Sequence, residues 1–471
     1  MLFNSIPFLI LFLFTYLIYW NTDDKFKKWV LFFSSVIFYI YYDLIAAFHF
    51  FTIISINYYF SALLLKKKSL VEDTSTTLKI ILGLNLINLA FFKYFYFLLD
   101  SLFSLTHSQI FIDLSKEYSI FLPLAISFYT FQLIAIQVDI HRGHIKEKIS
   151  FFDYTIFIIF FPQLIAGPIM RTIDFLPKLN SPIITSDSMK RGMFLLLLGL
   201  FKKVVIADNV GVLVNPIFLT PEKYHFTSIF LGFLGFSAQV YSDFSGYTDI
   251  ARGLALLLGF EIPENFKGPF YATSFTEIWT RWHITLSTWL RDYLYIPLGG
   301  NKRGFHFSNL NMLITMILGG LWHGANIAFV FWGAYLGLLL GLERILVSKG
   351  ITLMPKNRFL LFLKRMIVFA IFALSVIFFR AGSSGANAIP MMKNLIVNFF
   401  GLNSGITLGA KDQVILYVII TLILNMIQYD YSKIERFKKY QNVLLPIFSL
   451  IVFLLMGLFG DGGGDFIYFQ F

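Results

Sequence analysis

The chain has 471 residues, 57% of them hydrophobic and only 14% charged, with 58 phenylalanines and no cysteine; its mean hydropathy is +0.72. So few charges exclude an ordinary soluble domain, and the missing thiol excludes disulfides, thiolate metal sites, S-palmitoylation and a cysteinyl acyl-enzyme. The formal charge of +11 comes from Lys and Arg in short loops between apolar runs, the bias of cytoplasmic loops in membrane proteins, and no tract resembles a nucleic-acid module.

A chain dissolved in the bilayer must satisfy its backbone internally, as helices or as a closed barrel. Runs such as 80–92 and 193–200 do not alternate as barrel strands do, so the fold class is all-α and polytopic. About 11–12 membrane segments, some broken or re-entrant, are expected near 4–20, 29–43, 45–64, 77–100, 119–138, 152–168, 190–213, 227–260, 310–344, 359–379, 413–428 and 441–459. The longest of these have room for a tilted helix or for two shorter pieces. The first has no basic region before it and no small-residue cleavage site after it, so it reads as a retained span.

Loop charge sets an orientation. Lys25, Lys27 and Lys28 follow the first span, Lys66, Lys67 and Lys68 the third, and Arg142, Lys146 and Lys148 the fifth. The intervening connections at Asp43 and 101–118 carry little positive charge, which puts the N-terminus outside the cytoplasm. A single membrane domain is expected, with an N-terminal helical frame at 1–118, a catalytic core at 119–345 and C-terminal helices at 346–471. No internal repeat is visible, which disfavours an inverted-repeat transporter.

Polar residues enter the apolar pattern in the middle third, among them Asp139, Gln163, Arg171, Asp208, Asp243, Asp249, Arg252, Arg281, His283, Arg291, Asp292 and His323. Gly and Pro interrupt it at Gly167-Pro168, Pro263, Gly268-Pro269 and Pro297-Leu298-Gly299-Gly300. Broken backbone at membrane depth survives only where protein buries it or a wet cavity lines it, so the candidate site is here. Phe161 to Arg171 looks like a helix broken by Gly-Pro and ending at a cation. Arg171 can contact a phosphate or carboxylate, or simply snorkel. In 241–249, Asp243, Ser245 and Asp249 lie among hydroxyls. A carboxylate there can orient a histidine, bind a cation or pair with Arg252, and a buried structural network is an equal reading.

His283 lies in Trp279-Thr280-Arg281-Trp282-His283-Ile284-Thr285-Leu286-Ser287, and His323 in Gly319-Gly320-Leu321-Trp322-His323-Gly324-Ala325-Asn326. A titratable ring in a membrane is costly and points to function, and imidazole suits proton exchange near neutral pH. If 281–295 is helical, His283, Ser287 and Arg291 share one face; an interfacial helix with a tryptophan belt and snorkelling cations is the plain alternative. The glycines around His323 permit close approach of a neighbour or a substrate. His141 and His144 sit in a basic loop without a third clear ligand, so no metal site is expected. There is no phosphate-binding glycine loop and no G-x-S-x-G elbow. Thr288 stands where a histidine-plus-five aspartate would be needed for a glycerolipid acyltransferase motif.

Taken together, the stretches 122–132, 161–171, 241–249, 265–300 and 319–325, with Phe378-Phe379-Arg380-Ala381 and the tail Phe466-Ile467-Tyr468-Phe469-Gln470-Phe471, resemble the membrane-bound O-acyltransferases. The likeness is greatest to the bacterial branch of alginate O-acetyltransferases and peptidoglycan O-acetylating membrane proteins. It runs over nearly the whole chain; one departure is His141, where an aromatic is more usual.

The resemblance implies a helical cone, thin at its centre, with a tunnel joining its two sides. It implies catalytic histidines at His323 and His283; the polar residues of the middle third, Arg171, Asp243, Ser245, Asp249, Arg281, Ser287, Arg291 and Asn326, are the candidates for substrate binding. No bound cofactor is expected. Acetyl-CoA or another acyl thioester is the donor, taken from the cytoplasmic side. An exported polysaccharide is the acceptor, reached directly or through a separate periplasmic or exported transferase, in a bacterial inner membrane. The match at 161–171 favours the polysaccharide branch. An acyltransferase acting on a protein, lipid or teichoic acid is the alternative within the family, and a transporter of acyl groups or glycans is the alternative outside it.

Overall fold

The computed structural model describes every residue except 2, 166, 352–353, 385–386, 431–440, 461–465 and 468–471. Ala166, within the expected Gly-Pro break, and Tyr468 to Phe471 of the aromatic tail therefore lie outside the described residues. The described residues form helices with no strand, only isolated bridges such as Tyr224 to Ile406. Five helices are long and apolar enough to cross a membrane, namely Leu44–Ser69, Ser75–Thr106, Ile327–Ser348, Arg358–Gly382 and Lys411–Tyr429. The chain is an all-helical multi-pass membrane protein.

Two compact units divide it, one of Met1–Met193 with Ala251–Pro263 and one of Phe194–Ile250 with Glu264–Phe471. In the first, Ile6–Trp20 opens with Pro7 and with Ser5 Oγ accepting from Phe8 N at 3.4 Å, a start that occupies otherwise orphaned backbone donors. Leu44–Ser69 begins in the same way, with Asp43 Oδ1 accepting from Ala46 N at 2.6 Å.

The span expected at 119–138 is displaced: its helix runs Ile126–Arg142. Pro123 disfavours helical backbone before it, and Ala125 takes φ +60° at the helix start, so the chain enters the helix late. The segment expected at 152–168 is interrupted earlier than the expected Gly167-Pro168 break, at Phe160. Phe151–Ile159 is followed by one turn, Phe161–Leu164, and Gln163 Nε2 donates back to Phe157 O at 2.7 Å across the interruption. Ile110–Glu117 is a short helix the hydropathy did not mark.

In the second unit the segment expected at 190–213 is helical but not uniformly so. Ser186–Leu200 widens into a π-helical turn, Phe201–Ala207, before Asp208–Leu219. The long helix Phe226–Leu257 follows. The stretch expected at 310–344 resolves into two helices, Phe305–His323 and Ile327–Ser348, reversing at Gly324. A Cβ on Gly320 would lie 2.3 Å from Phe329 O, and one on Gly333 2.3 Å from Met316 O. The hairpin therefore packs backbone against backbone, as small residues allow between membrane helices. Ala388–Phe400 is a further helix that the sequence pattern did not reveal.

Candidate active site

Both histidines lie in the second unit, and each sits where a helix ends or begins. His323 is the last residue of Phe305–His323 and is 3% exposed. The reversal after it is set by Asn326, whose Oδ1 accepts from Ala328 N at 3.0 Å to start Ile327–Ser348. This returns Trp332 to within 5.0 Å of the His323 ring, centroid to centroid, while Phe379 comes to 5.5 Å and Trp322 to 5.1 Å, all edge-on. The aromatic walls exclude water and hold the ring by contact.

His283 precedes Ile284–Leu290 and has no exposed surface. The continuous helix considered for 281–295 is absent. Phe275–Arg281 stops, Trp282 is extended, His283 takes φ +43° and ψ 52°, and a new helix begins that widens into a π turn at Arg291–Tyr295. The edge of Phe244 meets the His283 ring at 4.6 Å, with Trp322 at 6.0 Å. The Trp322 indole thus borders both imidazoles.

Beside them lies an apolar cavity lined by Phe236, Trp282, Trp332, Phe372 and Phe379 among others. Trp332 and Phe379 are the walls of His323, and Trp282 precedes His283 in the chain. Phe236 also borders a polar cavity of about 80 Å³, lined by Lys203, Asp208, Asn215, Gln239, Asp243 and Arg380. Arg380 Nη2 donates to Asn215 Oδ1 at 3.3 Å.

The remaining sequence candidates are distributed unevenly. Asp243, Ser245 and Asp249 join a lysine network that the sequence reading missed. Lys202 Nζ meets Asp249 Oδ2 at 2.6 Å and Ser245 Oγ at 2.8 Å. Lys203 Nζ meets Asp208 Oδ1 at 2.7 Å and Asp243 Oδ1 at 2.8 Å. Asp243 also accepts from Ile467 N at 2.7 Å. The signal was visible: two adjacent lysines inside the apolar run 193–214. Both lie in the π turn, and they address different carboxylates, Lys202 that of Asp249 and Lys203 those of Asp208 and Asp243.

Arg281 pairs with Glu277 at 3.0 Å and stacks on Tyr429 at 3.8 Å. Ser287 Oγ donates to Trp282 O at 3.2 Å. Arg291 is paired with its neighbour Asp292 at 2.7 Å on an exposed edge, away from the face expected for it. Asn326 is a helix cap. Arg171, in the first unit, immediately precedes Thr172–Leu179 with extended backbone. Among the described residues no group of three His, Asp or Glu side chains converges that would hold a metal ion. Asn265, which meets His283 and Thr285, was also missed as an individual residue.

Comparisons with known proteins give the family. A probable alginate O-acetylase of Pseudomonas aeruginosa is 38% identical, over 81% of this chain and 72% of its own length. The peptidoglycan O-acetyltransferase of Helicobacter pylori is 36% identical, over 69% of this chain and 65% of its own. The teichoic acid D-alanyltransferase of Bacillus subtilis is 28% identical, over 52% of this chain and 65% of its own. The family model for membrane-bound O-acyltransferases matches residues 70–383, a stretch that holds both buried histidines and their aromatic walls; the chain belongs to the membrane-bound O-acyltransferase family and is an O-acyltransferase.

Proposed function

We propose that this O-acyltransferase carries an acetyl group from a cytoplasmic thioester, acetyl-CoA or another acyl thioester, to hydroxyls of an exported cell-surface polysaccharide. The observation that carries the reading is the pair of buried imidazoles bordering one indole beside an apolar cavity. An ester-forming reaction needs such a place: a dry pocket for the acyl group and a base for the incoming alcohol.

In this reading His323 takes the proton of the acceptor hydroxyl as its oxygen attacks the thioester carbonyl. The tetrahedral adduct collapses, the C–S bond breaks, and the thiolate leaves with the proton returned from the imidazolium. His283 orients the donor or the acceptor, or serves a relay step. Direct transfer needs no nucleophile of the enzyme, consistent with a chain that has no cysteine.

The acetyl-transferring relatives, at 36–38% identity, support acetate over the D-alanyl group of the relative at 28%. The alternation of basic loops supports a bacterial cytoplasmic membrane with the N-terminus outside, the donor reached from the basic side and the acceptor on the other. The acceptor is met directly or through a separate exported transferase, and the 119–345 region forms the catalytic core.

The test is to express the chain with its chromosomal neighbours in a host that does not acetylate its polysaccharides, and to assay ester-linked acetate on each isolated polymer. Acetate on one polymer that falls by roughly 10²–10⁴-fold with His323→Ala, the range for a positioned general base, is the expected result. Near-normal acetate with the variant would remove His323 from the chemistry. Ester-linked D-alanine in place of acetate would transfer the reading to the teichoic acid relatives.

A further inference from the structure

The tautomer of His283 can be assigned from the hydrogen bonds of its neighbour. Asn265 Oδ1 lies 3.1 Å from the backbone N of Thr285, 3.0 Å from Thr285 Oγ1 and 3.3 Å from His283 Nδ1. A backbone N–H only donates, so the Asn265 atom facing it is the amide oxygen and not the nitrogen. The same oxygen faces Nδ1 of the imidazole. Nδ1 therefore carries the hydrogen, and Nε2 carries the lone pair.

Nε2 is buried and makes no hydrogen bond to a described residue. An unmet buried acceptor costs about 1–3 kcal/mol. An alcohol O–H meets it; a carboxylate, a thioester carbonyl or a thiolate has no hydrogen to offer.

Asn265 also grips the strained backbone that aims the ring. Its main-chain oxygen accepts from Ile284 N at 2.9 Å, while its side chain takes Thr285. These bonds lie directly after the left-handed His283, a conformation that costs a non-glycine residue about 1–2 kcal/mol and persists only where its surroundings enforce it. The Phe244 ring stands nearly perpendicular to the imidazole, 4.6 Å away between centroids.

We propose that Asn265 is a positioning residue that fixes His283 in the Nδ1–H tautomer, so that Nε2 presents its lone pair to a second hydroxyl of the acyl acceptor, beside the one whose proton His323 takes. Asn265 touches no reacting atom in this account; it acts through the imidazole. The proposal rests on the place given to His283 in acyl transfer above and adds which nitrogen works and what holds it.

The test uses the full chain in detergent or nanodiscs with ¹⁵N-labelled histidine, and His283→Gln to assign the His283 signals. Wild type and Asn265→Asp, which keeps an oxygen acceptor, should both show protonated Nδ1. Asn265→Leu should shift His283 toward the Nε2–H form and lower transfer roughly 10–100-fold, the scale for losing a group that orients an imidazole. Asn265→Asp should recover most of that activity, which guards against a leucine variant that merely folds badly.

Protonated Nε2 in the wild type, or an unchanged tautomer in Asn265→Leu, would overturn tautomer control. A shifted tautomer with full transfer would overturn the positioning role. Full transfer by His283→Ala would instead remove His283 from the chemistry, an outcome the tautomer signal does not depend on.

Discussion

Each unit buries polar side chains among apolar helices, in two different ways. In the first, Asn57 and Asn85 exchange amide hydrogen bonds at 2.9 and 2.8 Å, and Gln137 Nε2 donates to Asn57 O and to Ser61 Oγ, both at 2.9 Å. Every member of that cluster is neutral. The second unit, besides neutral groups, buries a charged network: Lys202 with Asp249, and Lys203 with Asp208 and Asp243. A neutral amide cluster fixes the register of three helices and leaves no ion stranded if it loosens. A buried ion pair is weak as a source of stability yet very costly to break on one side. The charged network draws its carboxylates Asp243 and Asp249 from the helix that also carries Phe244, the ring standing against His283.

The contrast is broken most severely by removing one charge. Lys202→Met removes the lysine's bonds to Asp249 and Ser245 and should lower stability by about 3–5 kcal/mol, the usual result of breaking a buried ion pair from one side. Thermal unfolding in detergent measures it, and a shift no larger than that of a neutral substitution would show that the network is not held as ions.

The neutral cluster should respond more gently. Asn57→Leu should cost about 1–3 kcal/mol for the partners it leaves unmet, while acetate transferred per folded molecule stays at the wild-type level. Loss of transfer in a well-folded Asn57→Leu protein would erase the division of labour between the two kinds of network.

The smallest effect concerns a carboxylate outside the five membrane-crossing helices. Burial pushes Glu277 up, but hydrogen bonds from Thr273 N, Tyr429 and Thr273 Oγ1, with the Arg281 charge, outweigh it and hold Glu277 below its ordinary value. A depressed carboxylate stabilises the fold above its unfolded-state pKa, and that contribution fades as pH falls through the folded-state value. The melting temperature should therefore drop modestly on acidification through and below the ordinary glutamate range, and Glu277→Gln should flatten that part of the curve. An equal drop in both proteins would assign the acid sensitivity to other groups.

Hydropathy and composition made the helical membrane fold legible, and the setting of His283 and His323 among Trp and Gly marked the site. Both depend on sequence-local signals. What escaped was tertiary. Asn265 stands 18 residues from His283, and no periodicity links the two. Lys202 and Lys203 are adjacent in the π turn at Phe201–Ala207, yet their carboxylate partners Asp243 and Asp249 come from a helix about 40 residues further on, a pairing that no local pattern shows. The helix late at Ile126 shows the same limit from the other side, because one proline and one left-handed alanine override an apolar run that reads as continuous.

The left-handed backbone at His283 also bears on how this protein can be improved. Glycine accepts positive φ without strain, whereas an imidazole-bearing residue does not. His283→Gly would relieve that strain, about 1–2 kcal/mol, but it would also empty the space of a ring with no exposed surface that packs against Phe244 and Trp322, a loss on the scale of deleting a buried aromatic side chain, about 3–5 kcal/mol. The strained backbone and the ring it carries are therefore tied together, and durability has to be sought at other positions.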